Sequence, residues 1–202
     1  MKIKTLKQLR EVVGHPNPAT VQKKTNSLTK DAMEFVSKSP LLLLATASET
    51  GAMDVSPKGD EPGFVKVDEN NNLLIPDRRG NRLADGHSNI LENPEVGLIF
   101  LVPNTRETLR VNGKAELIID EKLQAAMSNK NHPAELITKV HVRECFFHCG
   151  KALIRSNLWQ PEGWPEKGRI SFGRQYVERQ NADPALAEVI DADVELDYKH
   201  NL

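Results

Sequence analysis

Leu41-Leu42-Leu43-Leu44-Ala45-Thr46, Asn72-Leu73-Leu74-Ile75-Pro76 and Val96-Gly97-Leu98-Ile99-Phe100-Leu101-Val102 are apolar runs within residues 41–113, and the polar turns between them are rich in basic residues and glycine. Each run has the length of a strand. A turn at Gly51 leads to Asp54-Val55-Ser56-Pro57-Lys58-Gly59-Asp60. The second run empties into Asp77-Arg78-Arg79-Gly80-Asn81-Arg82, and the third is followed by Arg106-Glu107-Thr108-Leu109-Arg110-Val111-Asn112-Gly113. Cationic loops at the ends of antiparallel strands suit a phosphorylated cofactor.

Working outward, Glu49-Thr50-Gly51 reads as a hairpin turn, Phe64-Val65-Lys66-Val67 as a short alternating strand, and Asp68 to Asn71 as a polar turn. From Asn81 to Asn93 the period becomes helical, with Leu83, His87, Ile90 and Leu91 on one face. Leu109 to Ile118 alternates again, Asp120 to Met127 reads as a helix, and Ala134 to Val142 leads into a strand that continues through His148. Upstream, Thr5 to Val13 is a helix stopped by Gly14 and Pro16. Ser27 to Val36 is a second one, capped by Thr29 and ended by Pro40. Many short strands, few short helices, no βαβ rhythm and no repeat predict a small antiparallel barrel with peripheral helices. From Gln160 onward Pro161, Gly163, Pro165 and Gly168 break the chain, and the acidic segment Ala187 to Asp197 reads as a short helix or a partly ordered tail. This predicts an extension laid over the barrel or over a neighbour, not a second domain.

At 202 residues the chain is long enough for one well-buried core. Its 27 basic and 28 acidic residues leave a net charge of -1, which makes no electrostatic case for nucleic acid or a membrane surface. The apolar runs are too short to span a bilayer, and the N-terminal lysines precede no apolar signal region. Cys145 and Cys149 are too few for a disulfide framework, and with His141 and His148 they make no spaced metal set. Reduced, mostly buried thiols in a cytoplasmic protein are expected.

The candidate constellations each read two ways. Lys58 can set its ammonium on a phosphate beside a close-approaching Gly59, or sit solvated in a hairpin loop. Arg78, Arg79 and Arg82, with Asn81 and the first-turn N–H groups of the following helix, can hold a dianion or form a solvated basic turn. Ser88 and Asn89 reach such a ligand only if their helix runs alongside it. Arg106, Thr108 and Arg110 share one face of a strand, with Glu107 and Leu109 on the other; they offer donors to a planar heterocycle or form edge ion pairs. Lys151 and Arg155, four residues apart on one helical face, need an anion or solvent. Cys149 lies near a predicted helix start, where thiol pKa falls, but His148 beside it would point elsewhere from a strand. Dinucleotide, phosphate-loop, zinc-protease and serine-hydrolase signatures are missing. No catalytic residue and no metal ligand emerges.

Four ordered motifs go further. Leu43 to Val65, Leu73 to Phe100, Glu107 to Ala115 and Phe146 to Trp159 resemble the pattern LATA…G…DVSPKGD.PGFV, LLIPDR.GNR…NILENP.VGLIF, ETLRVNGKA and FFHC.KA..RS.LW of the pyridoxamine 5'-phosphate oxidase-like, flavin mononucleotide (FMN)-binding split-barrel proteins of bacteria. The resemblance covers about three quarters of the chain. It implies a mainly β protein, a six-stranded antiparallel split β-barrel with peripheral helices. Residues 1–202 would form one FMN-binding domain, with a core at about 38–159 and a C-terminal extension over 160–202. It implies a homodimer with flavin sites at the subunit interface. By match, Lys58 holds the phosphate with Arg78, Asn81 and Arg82, and the helix of Ser88 and Asn89 runs beside the phosphate and ribityl chain. Glu107 and Thr108 pass the isoalloxazine edge, and Lys151, Arg155 and Trp159 reach the pocket from one subunit or the other.

The departures are specific. Met53 stands where the oxidase has a strand arginine, and the Arg78 to Arg82 turn replaces its Ser-Arg-Lys. Gln160 to Leu202 has no match to the elements that read pyridoxal. The implied function is therefore an FMN-dependent oxidoreductase acting on another small molecule or electron acceptor. The alternatives are a flavin carrier without turnover, or a relative using haem or a deazaflavin, with His148 as the one motif histidine placed as a candidate iron ligand.

Overall fold

The quoted runs are apolar and of strand length, and in the computed structural model, which describes residues 2–129 and 132–201, each forms a strand. The strands are β1 (Leu41–Ala47), β2 (Met53–Gly59), β3 (Lys66–Val67), β4 (Leu73–Asp77), β5 (Glu95–Leu101), β6 (Thr108–Ile118) and β7 (Leu136–His148). The helices are α1 (Leu6–Val13), α2 (Pro18–Gln22), α3 (Lys30–Lys38), α4 (Asp85–Glu92), α5 (Glu121–Met127), α6 (Lys151–Arg155), α7 (Phe172–Gln180) and α8 (Leu186–His200). The strands make one sheet in the order β2-β1-β5-β6-β7-β4-β3, and every pairing is antiparallel. The sheet curls into a split barrel with peripheral helices, as expected, but it has seven strands instead of six. The extra one, β3, has two residues. It lies within the short strand read from Phe64 to Val67, which the six strands of the resemblance leave out, and Asp68, in the polar turn expected after it, closes its hairpin to β4 by accepting from the N–H groups of Asn70 (2.9 Å) and Asn72 (2.8 Å).

Period two decides which side chains meet inside. Leu42 and Leu44 of β1, Leu98 and Phe100 of β5, Leu109 and Val111 of β6, and Leu73 and Ile75 of β4 form one buried cluster. Helix α3 starts where the Thr29 hydroxyl accepts the Ala32 N–H at 3.2 Å, and it drops Ala32 and Val36 onto that cluster. Helix α4 adds Ile90. Leu83 and Leu91, expected beside Ile90, are instead 69% and 76% exposed. Leu83 falls outside because α4 begins at Asp85, not Asn81, with Arg82 and Ala84 at left-handed φ values of 61° and 57°, and Leu91, about 100° round the helix from Ile90, faces outward. Between β6 and β7 the register slips at Asn112/Gly113. A Cβ at Gly113 would collide with the carbonyl oxygen of His141, so only glycine fits there.

Cys145 is buried and Cys149 exposed, and neither is in a disulfide. The expectation of buried thiols thus holds for one of them. Burial pushes the Cys145 thiol up to about 11, which makes it inert. The acidic C-terminal segment is helical throughout α8, and Gly173 of α7 abuts the backbone at Ala187. Among the described residues no helix is long and apolar enough to cross a membrane.

Candidate functional site

Strand β2 is patterned against its own hydrophobicity. Its apolar residues Met53 and Val55 are exposed, at 67% and 59%. Its polar residues Asp54, Ser56 and Lys58 lie opposite Thr46, Leu44 and Leu42 of β1, all buried, and so share the inner face. That places a charged edge at the mouth of the barrel. Across the split, Lys58 Nζ meets Asp77 Oδ1 at 2.6 Å, with the two side chains only 23% and 17% exposed. Arg78 Nε meets Asp60 Oδ2 at 2.9 Å. The two pairs draw the end of β2 to the end of β4.

A cavity of about 390 Å³ opens here, bounded by the inner edge of β2, the end of β4, the loop from Gly80 to Ala84 and the first turn of α4. That volume falls in the range of small-molecule sites. Asn81 folds the loop by accepting the Leu83 N–H at 3.0 Å, and α4 starts at Ala84 without a side-chain cap. Gly86 lets the helix approach β2, because a Cβ there would stand 3.0 Å from Asp54 Oδ2. His87 follows. Its Nε2 is buried, lacks a hydrogen-bond partner, and lies 3.5 Å from Asp77 Oδ1. Burial holds its pKa below the ordinary histidine value; Asp77 pulls the other way, Lys58 reinforces the depression, and Asp54 opposes it.

The residues expected at the site are distributed as follows. Lys58, Arg78, Asn81 and Arg82 all border this cavity. Arg78 is committed elsewhere, however: beyond Asp60, its guanidinium donates to the carbonyls of His132 (3.0 Å) and Met127 (2.9 Å). Burial opposes the Asp60 charge, yet the Glu61 N–H and Arg78 hold its pKa low. Asn89 donates to the Thr46 hydroxyl at 3.1 Å inside the barrel, and Ser88 does not line the cavity. Glu107 and Trp159 border a separate cavity of about 450 Å³ between the β5–β6 loop and α6, where Trp159 Nε1 donates to the Thr105 carbonyl at 2.9 Å. Thr108 pairs with His148 across the sheet. Lys151 and Arg155 are exposed on α6 and line neither cavity. His148 packs against Phe146 with ring centroids 4.9 Å apart, and burial, Arg110 and Lys23 depress its pKa. Arg110 itself pairs with Glu144 at 2.7 Å.

Asp54, Asp77 and His87 are the cavity residues that sequence reasoning passed over. The alternation Asp54, Ser56, Lys58 was a usable signal for a polar strand face. Nothing local marks the meeting of Asp77 with His87, which depends on how α4 is carried over the split.

The two histidines with depressed pKa give a pH expectation. Unfolded, each takes a proton near pH 6.5. Folded, each resists until a lower pH, so the unfolded state binds more protons and stability falls as pH drops below about 6.5. The carboxylates with lowered pKa, Glu34, Asp60, Asp68, Glu144 and Asp191, act only below about pH 5. Urea midpoints at pH 7 and 5.5 should differ in the wild type and differ less in His87→Asn. An equal difference in the two proteins would show that the His87 ring titrates normally.

Residues 28–149, more than half of the chain, match the family described as Pyridoxamine 5'-phosphate oxidase. No curated protein matches the chain. Among solved structures, HupZ of Group A Streptococcus shares 15% identity, over 59% of this chain and 92% of its own, with a TM-score of 0.48. General Stress Protein 26 of Bacillus anthracis shares 13%, over 56% and 88%, with a TM-score of 0.43. HutZ, the heme storage protein of Vibrio cholerae, shares 15%, over 61% and 94%, with a TM-score of 0.39.

Proposed function

From the premise that this chain belongs to the pyridoxamine 5'-phosphate oxidase family, we propose that the cavity between β2, β4 and α4 binds FMN by its phosphate, and that the protein is an FMN-dependent oxidoreductase of a small molecule. The observation that carries this is Lys58, a partly buried cation inside a polar cavity of cofactor size. The donor set suits a phosphate. Lys58 approaches from the strand, Arg82 and Asn81 lie on the loop, and the first turn of α4 has no side-chain cap. The partnerless Nε2 of His87 at the wall is a polar atom that the protein alone does not satisfy.

The flavin, when bound, supplies a ring able to accept a hydride and pass electrons to oxygen or an organic acceptor. The chain's own part is to bind and orient. Lys58 and Arg82 neutralise the phosphate, and Asn81 shapes the loop that carries Arg82. Arg78, paired with Asp60, ties the end of β4 to the residue after β2.

The reading includes a homodimer. Leu41 and Leu43 of β1 and Met53 and Val55 of β2 make a contiguous apolar outer face, 37% to 67% exposed. A second copy covering that face would also bring Lys151, Arg155, Trp159, Glu107 and Thr108 toward a flavin that one barrel leaves half open. The free thiols suit the cytoplasm.

Arg82→Ala should weaken FMN binding at least about tenfold, because a charge-assisted contact contributes roughly 1.5–3 kcal/mol. It should leave riboflavin binding nearly unchanged. Equal loss for both ligands would place Arg82 in the fold or at the ring and remove it from the phosphate. Sedimentation of the flavin-loaded protein should give twice the chain mass, and a monomer with flavin bound would exclude the dimer.

A further inference from the structure

We propose that the cavity takes up its anion by an exchange of partners: the FMN phosphate draws Lys58 away from Asp77, and His87 gains a proton from solvent to become the new partner of Asp77. The exchange rests on the FMN reading and names what that binding does to the protein.

Three distances define the device. Lys58 Nζ lies 2.6 Å from Asp77 Oδ1, and His87 Nε2 lies 3.5 Å from the same oxygen. Asp54, on the inner face with Lys58, accepts the Ser56 hydroxyl at 2.8 Å. One carboxylate oxygen thus has two basic neighbours, and at neutral pH it uses one. His87 is 14% exposed, and its Nε2 is within reach of Asp77 without forming a hydrogen bond. A neutral ring in that position is a partner in reserve.

A phosphate changes the balance. Lys58 is the cation that both Asp77 and an incoming dianion require, and it has one ammonium to share. Turning it toward the phosphate leaves the carboxylates of Asp77 and Asp54 in one cavity with the new charge and without that cation. Protonating His87 restores a cation at the vacated side of Asp77, and no bond other than N–H is made. The added negative charge favours imidazolium by the same Coulomb effect that lets Asp77 oppose the depression of its pKa.

The surroundings leave this role to His87. From β2 it is faced by Lys58 and Asp54, and from β4 by Asp77. On its own helix Asp85 precedes it at the cavity, and from the flanking loops Glu135, Arg82 and Arg78 line the same cavity, Arg78 being held by Asp60. Strand β1 carries no titratable side chain. The titratable side chains of β6 are taken up elsewhere: Arg110 by Glu144, Lys114 by Glu95, and Glu116 by His141. His87 acts through Asp77 and is a positioning residue, not a catalytic one.

Calorimetry of FMN binding at pH 7.5, in HEPES and in Tris, counts the protons exchanged, because the two buffers differ in ionisation enthalpy. The wild type should take up about half a proton more per FMN than His87→Asn, and riboflavin should show no such difference. Equal proton counts in the two proteins, with FMN bound to both, would overturn the exchange and leave the FMN reading intact. Failure of the wild type to bind FMN would overturn both. Ring-proton NMR of the wild type needs no variant to fold: the His87 pKa should rise by more than about one unit with FMN, enough to titrate near the calorimetric pH, and stay put with riboflavin. An unmoved His87 with FMN bound would overturn the exchange on its own.

Discussion

Lys58→Ala should bind FMN about a hundredfold more weakly than the wild type, a larger loss than Arg82→Ala causes. Two effects add. The substitution deletes a charge-assisted contact of roughly 1.5–3 kcal/mol. It also takes a cation out of a site where the Asp77 side chain is 17% exposed, so that His87 alone is left to offset that carboxylate beside the phosphate. Screening by water is poor there, so like-charge repulsion persists. The hundredfold loss corresponds to about 2.7 kcal/mol. Lys58→Ala combined with Asp77→Asn removes the repulsion together with the attraction, and it should bind within about tenfold of the wild type. Riboflavin affinity and thermal midpoint, measured alongside, separate loss of the phosphate contact from loss of the fold. A single variant within about threefold of the wild type would mean that Lys58 serves only to bridge the split.

Phe100→Ala should cost the folded state about 4 kcal/mol. Phe100 is fully buried, and it pairs across the sheet with Leu42 of β1 and Leu109 of β6, which are also fully buried. Truncation leaves a cavity walled by strands on both sides, which cannot collapse without shifting their register. Most of the stability of an ordinary domain is of that order, so the thermal midpoint should fall by about 8–16 °C. Phe100→Leu, which keeps most of the volume, should cost about 1 kcal/mol. Urea midpoints decide between the two, and a loss below about 1.5 kcal/mol for the alanine variant would show that the barrel repacks freely.

Strand positions were legible in the sequence because they rest on local properties: the apolar runs Leu41 to Thr46 and Val96 to Val102 have strand length, the alternation from Leu109 to Ile118 has period two, and they map onto β1, β5 and β6. The caps of α1 and α3 at Thr5 and Thr29 were legible for the same reason, since each hydroxyl bonds an N–H three residues away. Lys58 stood out by type, and its neighbourhood with Arg82 by motif.

The site itself was decided by tertiary structure. Read alone, Met53-Asp54-Val55-Ser56-Pro57-Lys58 would turn its apolar residues to the core. Pairing with β1 turns them out and sets Lys58 opposite buried Leu42, because paired residues share a face of the sheet and the face of β1 that carries Leu42, Leu44 and Thr46 is the one buried in the core. Arg78 looked like a ligand residue and is instead engaged by backbone carbonyls 49 and 54 residues away. Lys151 and Arg155 kept their common helical face but stand outside the cavity of their own chain. Asp77 and His87, separated by a left-handed loop, meet only because α4 is packed across the split. A side chain's type is written locally, but its electrostatic partners are set by which strand edges the chain brings together. From the sequence alone the barrel and its cationic edge could be read; the Asp77 oxygen that Lys58 and His87 both approach could not.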